Sequence, residues 1–139
     1  MKKKRILLVD DDGCFLEELA EMLNLSGYEP ACVSDASLVF AAALDIVPDV
    51  VLLDLKMPGL NGFQVADGFA RNSLLKNIPI IAMTGHFIQD KHNILMNSCG
   101  IKDCLKKPLD SFEVITKIET VLADSATEDI MIIKNKNKK

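Results

Sequence analysis

The stretch Val50-Val51-Leu52-Leu53 is apolar at every position, ends on a carboxylate at Asp54, and runs at once into Leu55-Lys56-Met57-Pro58-Gly59. A strand of unbroken Val and Leu, with no polar alternation, is covered on both faces, which is the condition of strands in parallel sheets. The Pro-Gly pair closes it with a turn. Open α/β sheets collect ligands and chemistry at the carboxyl ends of their strands. A carboxylate there is costly to bury unless it binds a cation, accepts hydrogen bonds or reacts. The rest of the chain must supply the reason for Asp54.

Short apolar runs recur, each followed by a segment with helical spacing. Arg5–Val9 leads into Asp10-Asp11-Asp12; residues 13–26 then set Phe15, Leu16, Leu19, Leu23 and Leu25 near a helical period and close at Ser26-Gly27. Residues 28–33 read as a second, weaker strand. Ser34 or Asp35 can cap a helix carrying Leu38, Val39, Ala42 and Ile46, which Pro48 stops. Beyond Asp54, Asn61-Gly62 opens a helix with Phe63, Ala66, Phe69 and Ala70 on one face. Residues 79–84 form a fourth strand with Gly85 in its turn, and residues 87–98 a fourth helix. Residues 101–105 form a fifth strand before Lys106-Lys107-Pro108. A last helix, capped by Asp110, points Phe112, Ile115, Ile118 and Leu122 inward. Five βα units of this size imply parallel strands, right-handed crossovers and helices on both faces: a doubly wound α/β sheet. Its carboxyl edge gathers residues 10–12, 54–59, 84–87 and 106–108.

At 139 residues the chain is the length of one domain. The pattern fills residues 1–123, and residues 124–139 read as a polar, Lys-rich, partly disordered extension, with a linker at 124–129 and an apolar patch at 130–133. No apolar run reaches the roughly 18 residues of a membrane span. After the basic start, the apolar stretch ends at Val9 before three aspartates, too short for a signal peptide, so a cytoplasmic chain without membrane contact is expected. Eight of the sixteen basic residues lie in segments 2–5 and 134–139, and all twenty acids lie between 6 and 133. An acidic body argues against nucleic-acid binding, and the Lys runs read as solvated ends. Cys14, Cys32, Cys99 and Cys104 contain no CxxC pair and read as small buried hydrophobes in a reducing compartment.

Asp10, Asp11, Asp54, Thr84 and Lys107 converge at the strand ends. Carboxylates about 4 Å apart repel by about 4 kcal/mol per pair at an effective dielectric near 20. Protonation or a cation must relieve that. Two or three carboxylates with one backbone carbonyl and waters suit Mg²⁺. With a hydroxyl and an ammonium group added, one carboxylate oxygen is surrounded by positive charge that would stabilise a phosphoryl group in transfer to it. Aspartate is a covalent phosphoryl acceptor in other settings.

With Ile6–Asp11, then Asp54-Leu55-Lys56-Met57-Pro58 and Gly62, then Ile80–Thr84, then Lys107-Pro108 in order, the chain resembles a response-regulator receiver domain of two-component signalling over residues 4–123. The resemblance implies a flavodoxin-like, five-stranded parallel sheet of order 2-1-3-4-5 with five helices. It implies that Asp54 is the phosphoacceptor, and that Asp10, Asp11, Asp54 and the backbone carbonyl of Lys56 hold Mg²⁺. Thr84 would hydrogen-bond the phosphoryl group and Lys107 would ion-pair with it. The donor would be a sensor histidine kinase or a phosphotransfer protein. The chain would catalyse only its own phosphorylation and dephosphorylation, passing the signal to an unknown downstream protein by contact or phosphorelay.

Two departures stand out. The family usually carries Tyr or Phe three residues before the motif lysine, and here that position is Cys104, too small for a ring switch coupled to Thr84. Gly85 replaces the more usual Ala, so output is expected through shifts of residues 85–98. His86 reads either as a surface residue or as a gate on hydrolytic water, and the Lys56 side chain as either solvated or reaching the phosphoryl site. Asp12 reads as the cap of the first helix. Two rival readings remain. One is a degenerate receiver acting as a phosphorylation-independent binding module. The other, an aspartate-nucleophile phosphatase, wants a DxD pattern after the first strand, where this chain has Asp10-Asp11-Asp12-Gly13.

Overall fold

The computed structural model describes residues 2–85 and 100–137. The elements are β1 (Arg5–Val9), α1 (Gly13–Leu25), β2 (Glu29–Val33), a 3₁₀ turn (Ala36–Leu38), α2 (Val39–Ile46) and β3 (Val50–Asp54). There follow β4 (Lys56–Met57), β5 (Leu60–Asn61), α3 (Gly62–Ala70), β6 (Ile80–Thr84), β7 (Ile101–Lys106) and α4 (Ser111–Asn137). Five strands form one parallel sheet in the order β2-β1-β3-β6-β7, which is the expected 2-1-3-4-5 order of the main strands. The described residues hold four α-helices; the helix expected at 87–98 lies outside them.

Strand alternation splits the core in two. Leu7, Val9, Val51, Leu53 and Ala82 face one side and pack with Val39 and Ala43 of α2 and Val65, Ala66 and Phe69 of α3. Ile6, Leu8, Val50, Leu52, Ile81 and Met83 face the other and pack with Leu16, Leu19 and Leu23 of α1 and Val114, Ile118 and Val121 of α4. Each fully buried Val, Leu or Ile contributes roughly 1.5–3 kcal/mol. That surplus lets the sheet tolerate buried charge at its carboxyl edge.

The caps follow the local chemistry. Asp12 Oδ1 accepts the Phe15 N–H at 3.1 Å and starts α1, as expected. At its end, Tyr28 N–H donates to Leu23 O at 3.0 Å and Gly27 N–H to Asn24 O, with Gly27 at φ 92, which is a Schellman closure. Asp35, one of the two proposed caps, accepts from Ser37 N–H. Asn61 caps α3 through Phe63 N–H.

Some expectations need correction. Phe112, expected inward, is 79% exposed, and Leu25, near the helical period of α1, is 83% exposed. Each lies two residues from a buried position, Val114 and Leu23, and two residues turn a side chain about 200° around a helix. Leu38 sits in the 3₁₀ turn before α2 and is also exposed. The short antiparallel hairpin β4–β5 was not anticipated; Pro58 and Gly59 (φ 72) occupy the two central turn positions that suit those residues. Finally, α4 passes without a break through the segment read as a polar linker. Neither Gly nor Pro occurs after Pro108 to stop it.

Candidate functional site

Asp10 leaves β1 as its first residue beyond the strand, yet its N–H still donates to Val33 O at 3.2 Å, so its backbone stays tied to β2. Asp54 is the last residue of β3 and pairs in register with Met83. The two chain segments lie side by side because β1 and β3 are neighbours, with Val9 opposite Leu53. Asp10 is 1% exposed and Asp54 6%, whereas Asp11 is open to solvent. Carboxylate oxygens of Asp10, Asp11 and Asp54 all lie within 4.8 Å of one another.

Lys107, just past β7, closes the group. Its Nζ is 2.5 Å from Asp10 Oδ2 and 3.8 Å from Asp54 Oδ2. Its backbone N–H donates to Thr84 O at 2.7 Å, locking the residues after β7 onto the end of β6. Thr84 is buried and stands one residue beyond the register partner of Asp54. Asp10 Oδ1 accepts the Asp12 N–H at 3.0 Å, and Asp54 Oδ1 accepts the Lys56 N–H at 3.1 Å. Burial pushes the Asp54 carboxyl above its ordinary value, and the Asp10 and Asp11 charges push the same way. The Lys56 amide and the Lys107 ammonium oppose this shift without cancelling it.

The loop beside Asp54 is built by close approach. A Cβ on Gly62 would lie 2.8 Å from Leu55 Cα and 3.3 Å from Asp54 O, so only glycine lets the start of α3 pack this tightly against the strand end. Lys56 is exposed and Met57 buried.

Five of the expected site residues therefore come together: Asp10, Asp11, Asp54, Thr84 and Lys107. His86 and most of the segment 85–98 proposed for output lie outside the described residues. Among the described residues nothing lies within 4 Å of a Cβ built on Gly85, so they leave room for an alanine there. Cys104 is half-buried on β7 beside Ala82, packed at the margin of the α2/α3-side core. Burial pushes its thiol to about 11. Cys14 and Cys32, expected to be buried, are exposed free thiols. One neighbour escaped the sequence reading. The Phe15 ring lies under the Lys107 ammonium, 4.4 Å from centroid to Nζ. In the sequence Phe15 is one apolar residue of a helical stripe, and nothing in its spacing distinguishes it from a core position.

Residues 6–119 match the family model of the response regulator receiver domain. Protein PilH of Pseudomonas aeruginosa is 34% identical over 119 residues, covering 86% of this chain and 98% of that protein. The phosphate regulon transcriptional regulatory protein PhoB of the same organism is 32% identical over 129 residues, covering 93% of this chain and 56% of PhoB. The chain thus spans nearly all of PilH but about half the length of PhoB. Among solved structures, a CheY-like receiver domain protein from Methanospirillum hungatei superposes with a TM-score of 0.83 at 24% identity, covering 91% of this chain and 99% of that one. Chemotaxis protein CheY4 of Vibrio cholerae does so with a TM-score of 0.81 at 23% identity, covering 86% and 99%. These two likenesses concern the fold.

Proposed function

This chain belongs to the response regulator receiver domain family, and from that membership we propose that it is a Mg²⁺-dependent signalling switch phosphorylated on Asp54. The observation that carries the reading is the convergence of Asp10, Asp11 and Asp54 within 4.8 Å, with the Lys107 ammonium against them. The donor set is all oxygen, and one member, Asp11, is open to solvent, which suits a hard cation that keeps waters. Asp10, Asp11, Asp54 and the Lys56 carbonyl would hold Mg²⁺, which when bound neutralises the carboxylates and favours approach of a phosphoryl group.

The chain's own residues supply the rest. An Asp54 carboxylate oxygen attacks the phosphorus of a phosphohistidine that is protonated on its other ring nitrogen; the P–O bond forms as the P–N bond breaks, and the electron pair leaves with a neutral imidazole. Lys107, already within 3.8 Å of Asp54, pairs with the transferred oxygens, and the Thr84 hydroxyl donates to them. The donor is a sensor histidine kinase or a phosphotransfer protein, and the setting is the cytoplasm. No described helix is long and apolar enough to cross a membrane. Residues 1–123 form the working domain and 124–139 an extension of it.

Incubation with acetyl phosphate and Mg²⁺, read by intact mass, tests the proposal. A hydroxylamine-labile phosphate adduct is expected, absent in Asp54→Asn and with EDTA. An adduct that persists in Asp54→Asn would overturn it.

Cys104 favours a second reading, a binding module that does not need phosphorylation. A half-buried cysteine occupies the position where the resemblance implies a ring, so Thr84 has no ring there to couple to. This reading predicts equal partner binding by the wild type and Asp54→Asn, with and without acetyl phosphate.

A further inference from the structure

Lys107 meets three groups at once: Asp10 at 2.5 Å, Asp54 at 3.8 Å and the face of Phe15 at 4.4 Å. The carboxylates hold the ammonium at fixed points. The ring supports it from a further side, since its negative face attracts a cation. Phe15 itself is well anchored. Asp12 caps its N–H at 3.1 Å, and the residue packs at the margin of the α1/α4-side core. Phe15 and Lys107 also line a cavity of about 300 Å³ with Leu19, Pro108 and Leu109, so the ammonium has open space on that side into which it could swing.

We infer that Phe15 is a positioning residue whose ring keeps the Lys107 ammonium over the gap between Asp10 and Asp54. Its effect is largest once the carboxylates are neutralised by a bound cation. Asp10 then pulls less strongly on Lys107, and the ring is what keeps the ammonium beside Asp54 and away from solvent. The catalytic consequence rests on the phosphoacceptor reading of Asp54; the positioning itself does not.

The test compares the full chain with Phe15→Leu and Phe15→Tyr. In metal-free protein, the Lys107 ε-methylene protons should show an upfield ring-current shift in proton–carbon NMR spectra of the wild type and Phe15→Tyr. Phe15→Leu should lose that shift while keeping its helical circular dichroism. With saturating Mg²⁺ and acetyl phosphate, labelling of Phe15→Leu should slow about three- to fivefold and recover in Phe15→Tyr. Unshifted ε-protons in the wild type, or wild-type labelling of Phe15→Leu, would overturn the inference. If the wild type takes no label, the phosphoacceptor reading fails and the ring-current comparison alone decides the role of Phe15. If Phe15→Leu does not fold, Phe15→Met takes its place with the same expected outcomes.

Discussion

Lys107 pairs with Asp10 across 97 positions of sequence, Nζ to Oδ2 at 2.5 Å, and this side-chain contact ties the end of β7 to the end of β1 across the carboxyl edge of the sheet. Asp10 is almost fully buried, so bulk solvent screens its charge weakly. Removing one partner of a buried pair costs more than the pair contributes, because the other charge is left uncompensated. The fold thus leans on the same ammonium that the proposed chemistry needs at Asp54.

Lys107→Ala should therefore destabilise the metal-free protein by about 1–3 kcal/mol, at the low end because Lys107 is itself partly exposed. Saturating Mg²⁺ should raise the melting temperature of Lys107→Ala more than that of the wild type, since the ion replaces the missing charge. No Mg²⁺-induced shift in either protein in differential scanning calorimetry would count against a cation site on these carboxylates, and equal shifts in both would count against the ion replacing the Lys107 charge.

Asp54→Asn should stabilise the metal-free chain at neutral pH by on the order of 1 kcal/mol. The folded-state carboxyl of Asp54 is raised above its unfolded value, so the native state binds more protons than the unfolded one between the two values. Stability from this group is thus lost as pH rises through that window and stays lost above it. Urea melts of the wild type and Asp54→Asn should diverge above the window and converge below the unfolded value near 3.9. A gap of constant size down to the acid limit would contradict the shift.

Gly62→Ala should cost at least about 2 kcal/mol, because the new methyl meets Leu55 Cα at 2.8 Å and backbone must move to admit it. The displaced segment carries Asp54 and Lys56. Mg²⁺ affinity, followed by isothermal titration, should fall along with the denaturation midpoint.

Cys104 should resist alkylation while Cys14 reacts. The Cys104 thiol is half-buried and pushed to about 11, so almost none is thiolate at a pH of about 8, whereas Cys14 is exposed at the start of α1. Peptide mapping after brief iodoacetamide treatment should find carbamidomethyl on Cys14 and none on Cys104. Prompt labelling of Cys104 would mean that β7 opens readily.

Much of this was legible along the chain. Unbroken apolar runs identify buried parallel strands, and Asp12, Asp35, Asn61 and Gly27 mark helix ends by side-chain and backbone chemistry that acts within a few residues. Phe112 is as apolar as a core residue but lies off the angular stripe that Val114, Ile118 and Val121 form on α4, and apolar character alone does not give that angle. The β4–β5 hairpin was hidden because two residues per strand leave no periodicity to detect.

The sequence by itself determined which chemical groups stand at the strand ends, since a strand's length and its closing turn are local properties. It therefore presented Asp10, Asp11, Asp54, Thr84 and Lys107 as one set. Tertiary structure alone decided how that set is balanced. The parallel sheet sets β1 beside β3 and carries β6 and β7 beyond them, and the Lys107 side chain reaches back from the end of β7 to lie 2.5 Å from Asp10 and 3.8 Å from Asp54. It also slid the Phe15 ring beneath that ammonium. Distances between segments far apart in the chain arise from packing two core faces onto one sheet, and no local pattern encodes them.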